Sequence, residues 1–156
     1  PVEVAAHTLK IAHEAGAKTI LNFSPCPTSP IDKEIFRNTT ICIVNEVEMK
    51  TVGTSIAELH SFGVEAVIET HGGEGAIIHL KGRSEPIHVK APKAKVVDTT
   101  GAGDSFLGSL AYFLSLGKSY EEAAKCARHI ASLSVQKVGT QSSYVHRGDE
   151  AIASFF

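Results

Sequence analysis

Residues 96–104 read Val-Val-Asp-Thr-Thr-Gly-Ala-Gly-Asp, and residues 104–116 behind them carry apolar side chains at helical spacing. This order predicts the end of a strand, a loop of small residues and a helix that ends at Gly117. Glycines let backbone N–H groups approach an anion, and a helix N-terminus adds unpaired donors and the positive end of a dipole. The stretch therefore predicts an anion hole for a phosphate at Gly101, Ala102 and Gly103.

The carboxylate of Asp104 falls in the first turn of this predicted helix. Beside a bound alcohol, such a carboxylate can accept the hydroxyl proton during phosphoryl transfer. An aspartate is also favoured at this position simply because it complements the helix N-terminus. Spacing alone leaves both interpretations open.

The rest of the chain alternates between strand and helix patterns. We expect helices at 2–15, 55–62, 104–116 and 120–135, strands at 18–23, 39–44, 66–70 and 76–80, and an edge strand at 86–89. This alternation predicts an α/β layered fold with a largely parallel sheet, and the length predicts a single domain over residues 1–156.

Composition argues against several classes of function. A charged fraction of 21% and a net charge of -2 indicate no basic surface for nucleic acid. The apolar runs fall short of the roughly 20 residues of a membrane span. The 3 cysteines and 8 histidines form no zinc pattern. We therefore expect a cytoplasmic protein without nucleic acid or membrane partners.

The run Asp-Thr-Thr-Gly-Ala-Gly-Asp at 98–104, followed by an apolar helix, resembles the second signature of the ribokinase-like, or PfkB, family of carbohydrate kinases. The resemblance implies a doubly wound, three-layer α/β/α fold and the use of ATP. It also implies that Asp104 contacts the sugar and acts as the catalytic base, while Gly101, Ala102 and Gly103 stabilise the transferred phosphate.

Two upstream segments resemble nucleotide motifs of the same family. Residues 45–48 are similar to its N-x-x-E motif, which implies roles for Asn45 and Glu48 in organising Mg²⁺, water and phosphates. Without the motif at 98–104, a polar helix start after the strand at 39–44 would be the better interpretation. Residues 70–75 resemble the T-x-G-x-x-G nucleotide loop, and a glycine-rich turn is the alternative. The loop's implied cofactor-binding residues are Thr70, His71, Gly72, Gly73, Glu74 and Gly75, with Gly103 and Asp104 joining them at the anion hole.

The segment 134–144 resembles the animal-type ribokinases of this family, and a polar loop after a helix is the simpler alternative. The resemblance implies a K⁺ site beside the anion hole. Lys137 would contribute only its carbonyl, since its ammonium repels a cation. The implied ligands are Asp98, Thr100, Ser134, Lys137, Gly139 and Ser143.

The resemblance covers nearly the whole chain and corresponds to the C-terminal half of the family fold, without its N-terminal half and lid. It implies a parent enzyme that phosphorylates the 5-hydroxyl of D-ribose with ATP, Mg²⁺ and K⁺. That enzyme is expected to be a homodimer in the cytoplasm, with the nucleus also possible. The alternatives are a kinase for another sugar or a nucleoside, and a non-catalytic nucleotide-binding fragment. Arg128 and His129 fall where the family helix approaches adenine, but a plain helix surface is the simpler interpretation.

Overall fold

The computed structural model of the protein describes residues 1–28 and 30–155. Its α-helices are α1 Val2–Glu14, α2 Glu46–Val52, α3 Ile56–Phe62, α4 Ala102–Ser115 and α5 Tyr120–Ser134. Its strands are β1 Ile20–Asn22, β2 Ile41–Asn45, β3 Ala66–Thr70, β4 Gly75–Leu80 and β5 Ile87–Lys90. Short 3-10 helices lie at Lys33–Asn38, Gly72–Glu74, Gln141–Ser143 and Glu150–Phe155.

The chain divides into two compact units. The first unit contains residues 1–71 and 77–87, and the second unit contains residues 72–76 and the chain from residue 88 onward. The expected single domain over residues 1–156 stays a prediction. None of the helices within residues 1–28 and 30–155 is both long and apolar enough to span a membrane.

The sheet has the strand order β1-β2-β3-β4-β5. β1 pairs parallel to β2, and β2 pairs parallel to β3 with Asn45 opposite Thr70. Residues 41–44 of β2 are all buried, as expected for a strand covered on both faces. Since parallel strands end at the same edge of a sheet, β2 and β3 place the polar residues Asn45 and Thr70 side by side. The predicted α/β class and parallel strands are confirmed.

The core of the first unit is built around Phe36, which lies in the 3-10 helix after β1 and is fully buried. Its ring contacts Phe23 at 5.9 Å and Phe62 at 5.8 Å between centroids. Leu9 of α1 and Leu59 of α3 belong to the same cluster. These contacts join both helices to the sheet strands that carry Asn45 and Thr70.

In the second unit, α4 and α5 pack closely together. α4 buries Phe106, Leu110 and Phe113, and α5 faces them with a stripe of small residues. Small side chains on one helix allow a second helix to approach closely. α5 therefore packs tightly against α4 and helps to position the N-terminus of α4. The buried stripe of α5 comprises Ala123, Ala124, Cys126, Ala127, Ile130, Ala131 and Ser134.

Two local expectations need correction. Val96 and Val97 do not end a strand: they are 62% and 51% exposed. The backbone N–H groups of Val97 and Asp98 instead donate to the carbonyl of Val135 at 2.8 and 3.2 Å, which takes the place of a strand ladder. A helix start at Asn45 and Glu48, weighed only as the alternative to a nucleotide motif, is present as α2, and α4 begins two residues before Asp104.

Candidate functional site

The N-terminus of α4 begins at Gly101, whose φ of 78° lies in the left-handed region. The hydroxyl of Tyr144 donates to the Gly101 carbonyl at 3.0 Å. A Cβ on residue 101 would lie 2.6 Å from that hydroxyl oxygen. Glycine is therefore required here both by the backbone conformation and by the packing of Tyr144.

The first turn of α4 offers backbone donors to an anion. The Ala102 N–H donates to the Thr99 carbonyl at 3.2 Å, so it is already engaged. The N–H groups of Gly103 and Asp104 belong to the first turn, which helix geometry leaves without intrahelical acceptors. No side chain caps this N-terminus, and both residues are exposed. The arrangement suits a phosphate, with Gly103 and Asp104 as the most available donors.

Asp98 holds the loop in front of α4 in place. Its Oδ1 accepts from the Thr100 N–H at 2.9 Å and the Thr100 hydroxyl at 2.7 Å, and its Oδ2 accepts from the Gly139 N–H at 3.0 Å. These hydrogen bonds lower the pKa of Asp98 from 3.8 to about 2, and the bond from the Gly139 N–H makes the largest contribution. The carboxylate is thus ionised at neutral pH and joins the loop before α4 to the loop after α5.

The implied K⁺ ligands are partly brought together by this contact. Asp98, Thr100 and Gly139 meet directly. The hydroxyls of Ser134 and Ser143 are buried and donate to the nearby Ala131 and Thr140 carbonyls at 2.9 and 2.7 Å, which leaves their oxygens as acceptors. The Lys137 N–H donates to the Ser134 carbonyl at 3.4 Å. An oxygen-rich set of this kind fits a monovalent cation, and the assignment stays a prediction.

A cavity of about 510 Å³ adjoins the start of α4 within the second unit. Thr99 and Ala102 line it on the side of the first turn of α4, and Gly72 and Gly73 line it from the 3-10 turn at Gly72–Glu74. Its remaining wall is mainly apolar, which suits a flat aromatic ring beside a phosphate site. That wall consists of Ala91, Pro92, Lys93, Ala94, Val96, Arg128, Ala131, Ser132 and Val135.

Arg128 departs from the expected helix-surface role. It is half-buried, it lines the cavity, and its terminal guanidinium nitrogen donates to the Gly72 carbonyl. Burial lowers its pKa. His129 instead packs its ring edge-on against Phe155 at 5.1 Å. No local sequence pattern predicts the contact between Arg128 and Gly72, because the two residues are 56 positions apart.

In the first unit, Asn45 and Glu48 form a capping box at the start of α2. The Glu48 N–H donates to Asn45 Oδ1 and the Asn45 N–H donates to Glu48 Oε2, both at 2.9 Å. Glu48 is only 5% exposed. Burial and, secondarily, the Glu48 charge raise the pKa of Cys42 to about 12. The helix-start interpretation is therefore realised in the fold, with one oxygen of each side chain engaged.

In the loop at residues 70–75, one glycine, Gly75, also has a structural explanation. A Cβ on Gly75 would lie 2.1 Å from the Val89 carbonyl oxygen, and the φ of Gly75 is 121°. Thr70 donates weakly to the Val44 carbonyl at 3.4 Å, and His71 has a buried Nε2 without a hydrogen-bond partner in the described chain. Gly72, Gly73 and Glu74 form a 3-10 turn with no buried side chain. Only Gly75 is therefore demanded by packing.

No group of three or more His, Cys, Asp or Glu residues suited to a metal ion occurs within residues 1–28 and 30–155. The role of Asn45 and Glu48 toward Mg²⁺ stays a prediction. Their oxygens fit indirect contact through water, because Mg²⁺ retains several waters and favours oxygen ligands.

Comparison with known proteins identifies the family. A family model described as pfkB family carbohydrate kinase matches residues 1–147. The chain belongs to the pfkB family of carbohydrate kinases. It is 35% identical to mouse ribokinase over 160 residues, covering 94% of this chain and 49% of the mouse protein. The chain thus spans about half the length of the curated relatives it matches.

Solved structures confirm the fold. A ribokinase from Thermotoga maritima matches with a TM-score of 0.82 at 31% identity, covering 95% of this chain and 52% of that one. Arabidopsis thaliana ribokinase, complexed with ribose and ATP, matches with a TM-score of 0.85 at 30% identity, covering 99% and 52%. A nucleoside kinase from Burkholderia thailandensis in complex with inosine matches with a TM-score of 0.82 at 26% identity, covering 96% and 50%. The ribokinase-like α/β fold predicted from the sequence is confirmed.

Proposed function

We propose that this chain is the nucleotide-binding and catalytic part of an ATP-dependent kinase that phosphorylates the 5-hydroxyl of D-ribose. The observation that carries the proposal is the uncapped first turn of α4, whose Gly103 and Asp104 amides lie beside a cavity large enough for a purine. Family membership supports a sugar or nucleoside acceptor. The similarity to ribokinases, one of them solved with ribose and ATP, favours ribose.

In the proposed reaction, the Asp104 carboxylate accepts the proton of the sugar hydroxyl as its oxygen attacks the γ-phosphorus of ATP. The bond from the γ-phosphorus to the bridging oxygen breaks, and ADP leaves with the electron pair. Backbone donors at Gly101, Ala102 and Gly103 stabilise the charge on the transferred phosphoryl group. Of these, the Gly103 amide is the most available, because that of Ala102 is bonded to Thr99.

The remaining predicted residues would organise the nucleotide and its ions. Asn45 and Glu48 would orient water around Mg²⁺, which supplies charge neutralisation at the phosphates. Residues 70–75 would contact the phosphates through backbone groups. Asp98 and Thr100, with Ser134, Lys137, Gly139 and Ser143, would hold K⁺ and so keep the loop before α4 oriented toward the phosphate.

The test is ATP-dependent phosphorylation of ribose by this chain and by Asp104→Asn, with Mg²⁺ and with either K⁺ or Na⁺. If K⁺ stimulates turnover and Asp104→Asn abolishes it, the result supports both Asp104 as the base and the cation site. If the chain binds ATP but does not phosphorylate ribose, it is the nucleotide-binding part alone. Failure to bind ATP contradicts the proposal.

A second candidate is a kinase for a nucleoside, favoured by the similarity to the nucleoside kinase solved with inosine. Ribose and inosine compared as acceptors at equal concentration distinguish the two. A larger kcat/KM for inosine replaces the ribose assignment and leaves the phosphoryl-transfer chemistry intact. The cytoplasmic location and the homodimer of the full-length enzyme stay predictions.

A further inference from the structure

The hydroxyl of Tyr144 contacts the backbone at the start of α4, inside the second unit. It donates to the Gly101 carbonyl at 3.0 Å, and the same carbonyl accepts the first intrahelical hydrogen bond of α4, from the Ser105 N–H at 2.9 Å. A carbonyl oxygen has two lone pairs, so these two donors occupy both. The two hydrogen bonds together fix the direction of the peptide unit that joins Gly101 to Ala102.

Gly101 needs such a restraint because it has no Cβ. Glycine adopts positive and negative φ about equally readily, so the φ of 78° at Gly101 is not held by its own side-chain sterics. A capping side chain would hold the turn by binding its N–H groups, and no side chain caps α4. Tyr144 instead holds the turn through a carbonyl, which leaves the amides of Gly103 and Asp104 available to an anion.

Tyr144 is itself well placed to keep this contact. The Thr140 carbonyl accepts from the Ser143 N–H at 2.9 Å and from the Ser143 hydroxyl at 2.7 Å, and the Tyr144 N–H donates to the Gln141 carbonyl at 3.3 Å. Burial and, secondarily, the charge of Asp104 raise the pKa of Tyr144. The hydroxyl therefore keeps its proton at neutral pH and remains a donor.

We propose that Tyr144 is a positioning residue for the transferred phosphate, because it keeps the amides of Gly103 and Asp104 directed at the γ-phosphate of ATP. This inference rests on the proposed function in taking the first turn of α4 as the site of that phosphate. Tyr144 acts through the Gly101 carbonyl and does not need to touch the nucleotide. Donors that are already oriented require no reorganisation when the phosphate binds.

The experiment is isothermal titration calorimetry of the whole chain and of Tyr144→Phe, with Mg²⁺ and either a non-hydrolysable ATP analogue or ADP. It needs no turnover. Ordering the backbone of one residue costs about a factor of ten in an equilibrium constant, so the variant is expected to bind the ATP analogue about tenfold more weakly. Its affinity for ADP is expected to be nearly unchanged, because ADP has no γ-phosphate.

The matched control is Tyr112→Phe, which removes a hydroxyl from the same helix. Tyr112 lies toward the C-terminal end of α4, so this variant is expected to bind both nucleotides as the unaltered chain does. Far-UV circular dichroism of both variants checks the fold as a whole. Retained ADP binding by Tyr144→Phe shows in addition that its nucleotide site is intact.

Equal weakening of the ATP analogue and of ADP by Tyr144→Phe overturns the inference, since the hydroxyl would then support the whole site and not the γ-phosphate turn. An unchanged affinity of Tyr144→Phe for the ATP analogue also overturns it. Both results leave the proposed function standing. If the unaltered chain binds neither nucleotide, the proposed function is removed together with the inference.

Discussion

Replacing Gly101 with alanine is expected to destabilise the start of α4 by about 2–3 kcal/mol. Part of this cost is conformational: a residue with a Cβ at a φ of 78° pays about 1–2 kcal/mol for the left-handed conformation. The rest comes from Tyr144, whose hydroxyl oxygen would lie 2.6 Å from the new Cβ. The ring must move away, and its hydrogen bond to the Gly101 carbonyl, worth about 1 kcal/mol, is lost.

A specific coupling between Gly101→Ala and Tyr144→Phe is expected. The phenylalanine variant alone loses the same hydrogen bond, at about 1 kcal/mol. The double variant can lose that hydrogen bond only once. Its loss of unfolding free energy is therefore expected to be about 1 kcal/mol smaller than the sum of the losses of the two single variants. Gly108→Ala in the exposed interior of α4, where a Cβ meets no atom within 4 Å, is the control and is expected to stabilise by about 0.5–1 kcal/mol.

The assay is urea unfolding followed by far-UV circular dichroism for the four variants and the unaltered chain. If the costs of Gly101→Ala and Tyr144→Phe add within about 0.3 kcal/mol, the two changes are not coupled. Additive costs would mean that alanine at position 101 does not displace the tyrosine hydroxyl.

Three further outcomes follow from the contacts. The pKa of Asp98 is about 2 in the folded protein, against an ordinary value of 3.8. Its contribution to stability is therefore complete above the ordinary pKa and is lost as the pH falls through the folded pKa. In thermal unfolding from about pH 5 to about pH 2, the melting temperature should fall less steeply for Asp98→Asn than for the unaltered chain. Ser119→Ala removes the side-chain cap of α5, in which Ser119 Oγ accepts from the Glu122 N–H at 3.3 Å, and is expected to cost about 1 kcal/mol in urea unfolding; an unchanged midpoint would contradict this. Leu59→Ala empties a fully buried site in the first unit and is expected to cost about 2–5 kcal/mol, with a loss below about 1 kcal/mol showing that Leu59 is not tightly packed.

The elements with a clear local pattern could be predicted from the sequence. β3 was predicted at residues 66–70, where the structure has it, because a short apolar run bounded by turn residues has few alternatives. α5 starts at Tyr120 as expected, since Ser119 and Glu122 supply a capping box. The same signal is present at Asn45 and Glu48, where the structure has the helix start that the sequence offered as the alternative to a nucleotide motif.

The contacts that shape the candidate site could not be predicted in this way. Asp98 meets Gly139 across 41 residues, and Tyr144 meets Gly101 across 43. Such pairs depend on how α4 and α5 pack, which no local pattern specifies. The strand end predicted at Val96 and Val97 is wrong for a similar reason. The N–H groups of Val97 and Asp98 donate to the carbonyl of Val135, a distant residue, instead of to a neighbouring strand.

The first turn of α4 and the cavity beside it are proposed to bind a nucleotide triphosphate. The most direct measurement is a titration of the ¹⁵N-labelled chain with a non-hydrolysable ATP analogue, followed by amide chemical shifts. The largest shifts are expected on Thr100, Gly103 and Asp104 and on Gly72 and Gly73. Saturable shifts confined to the first unit, for example to the cavity between α1 and the 3-10 helix Lys33–Asn38, would contradict this proposal.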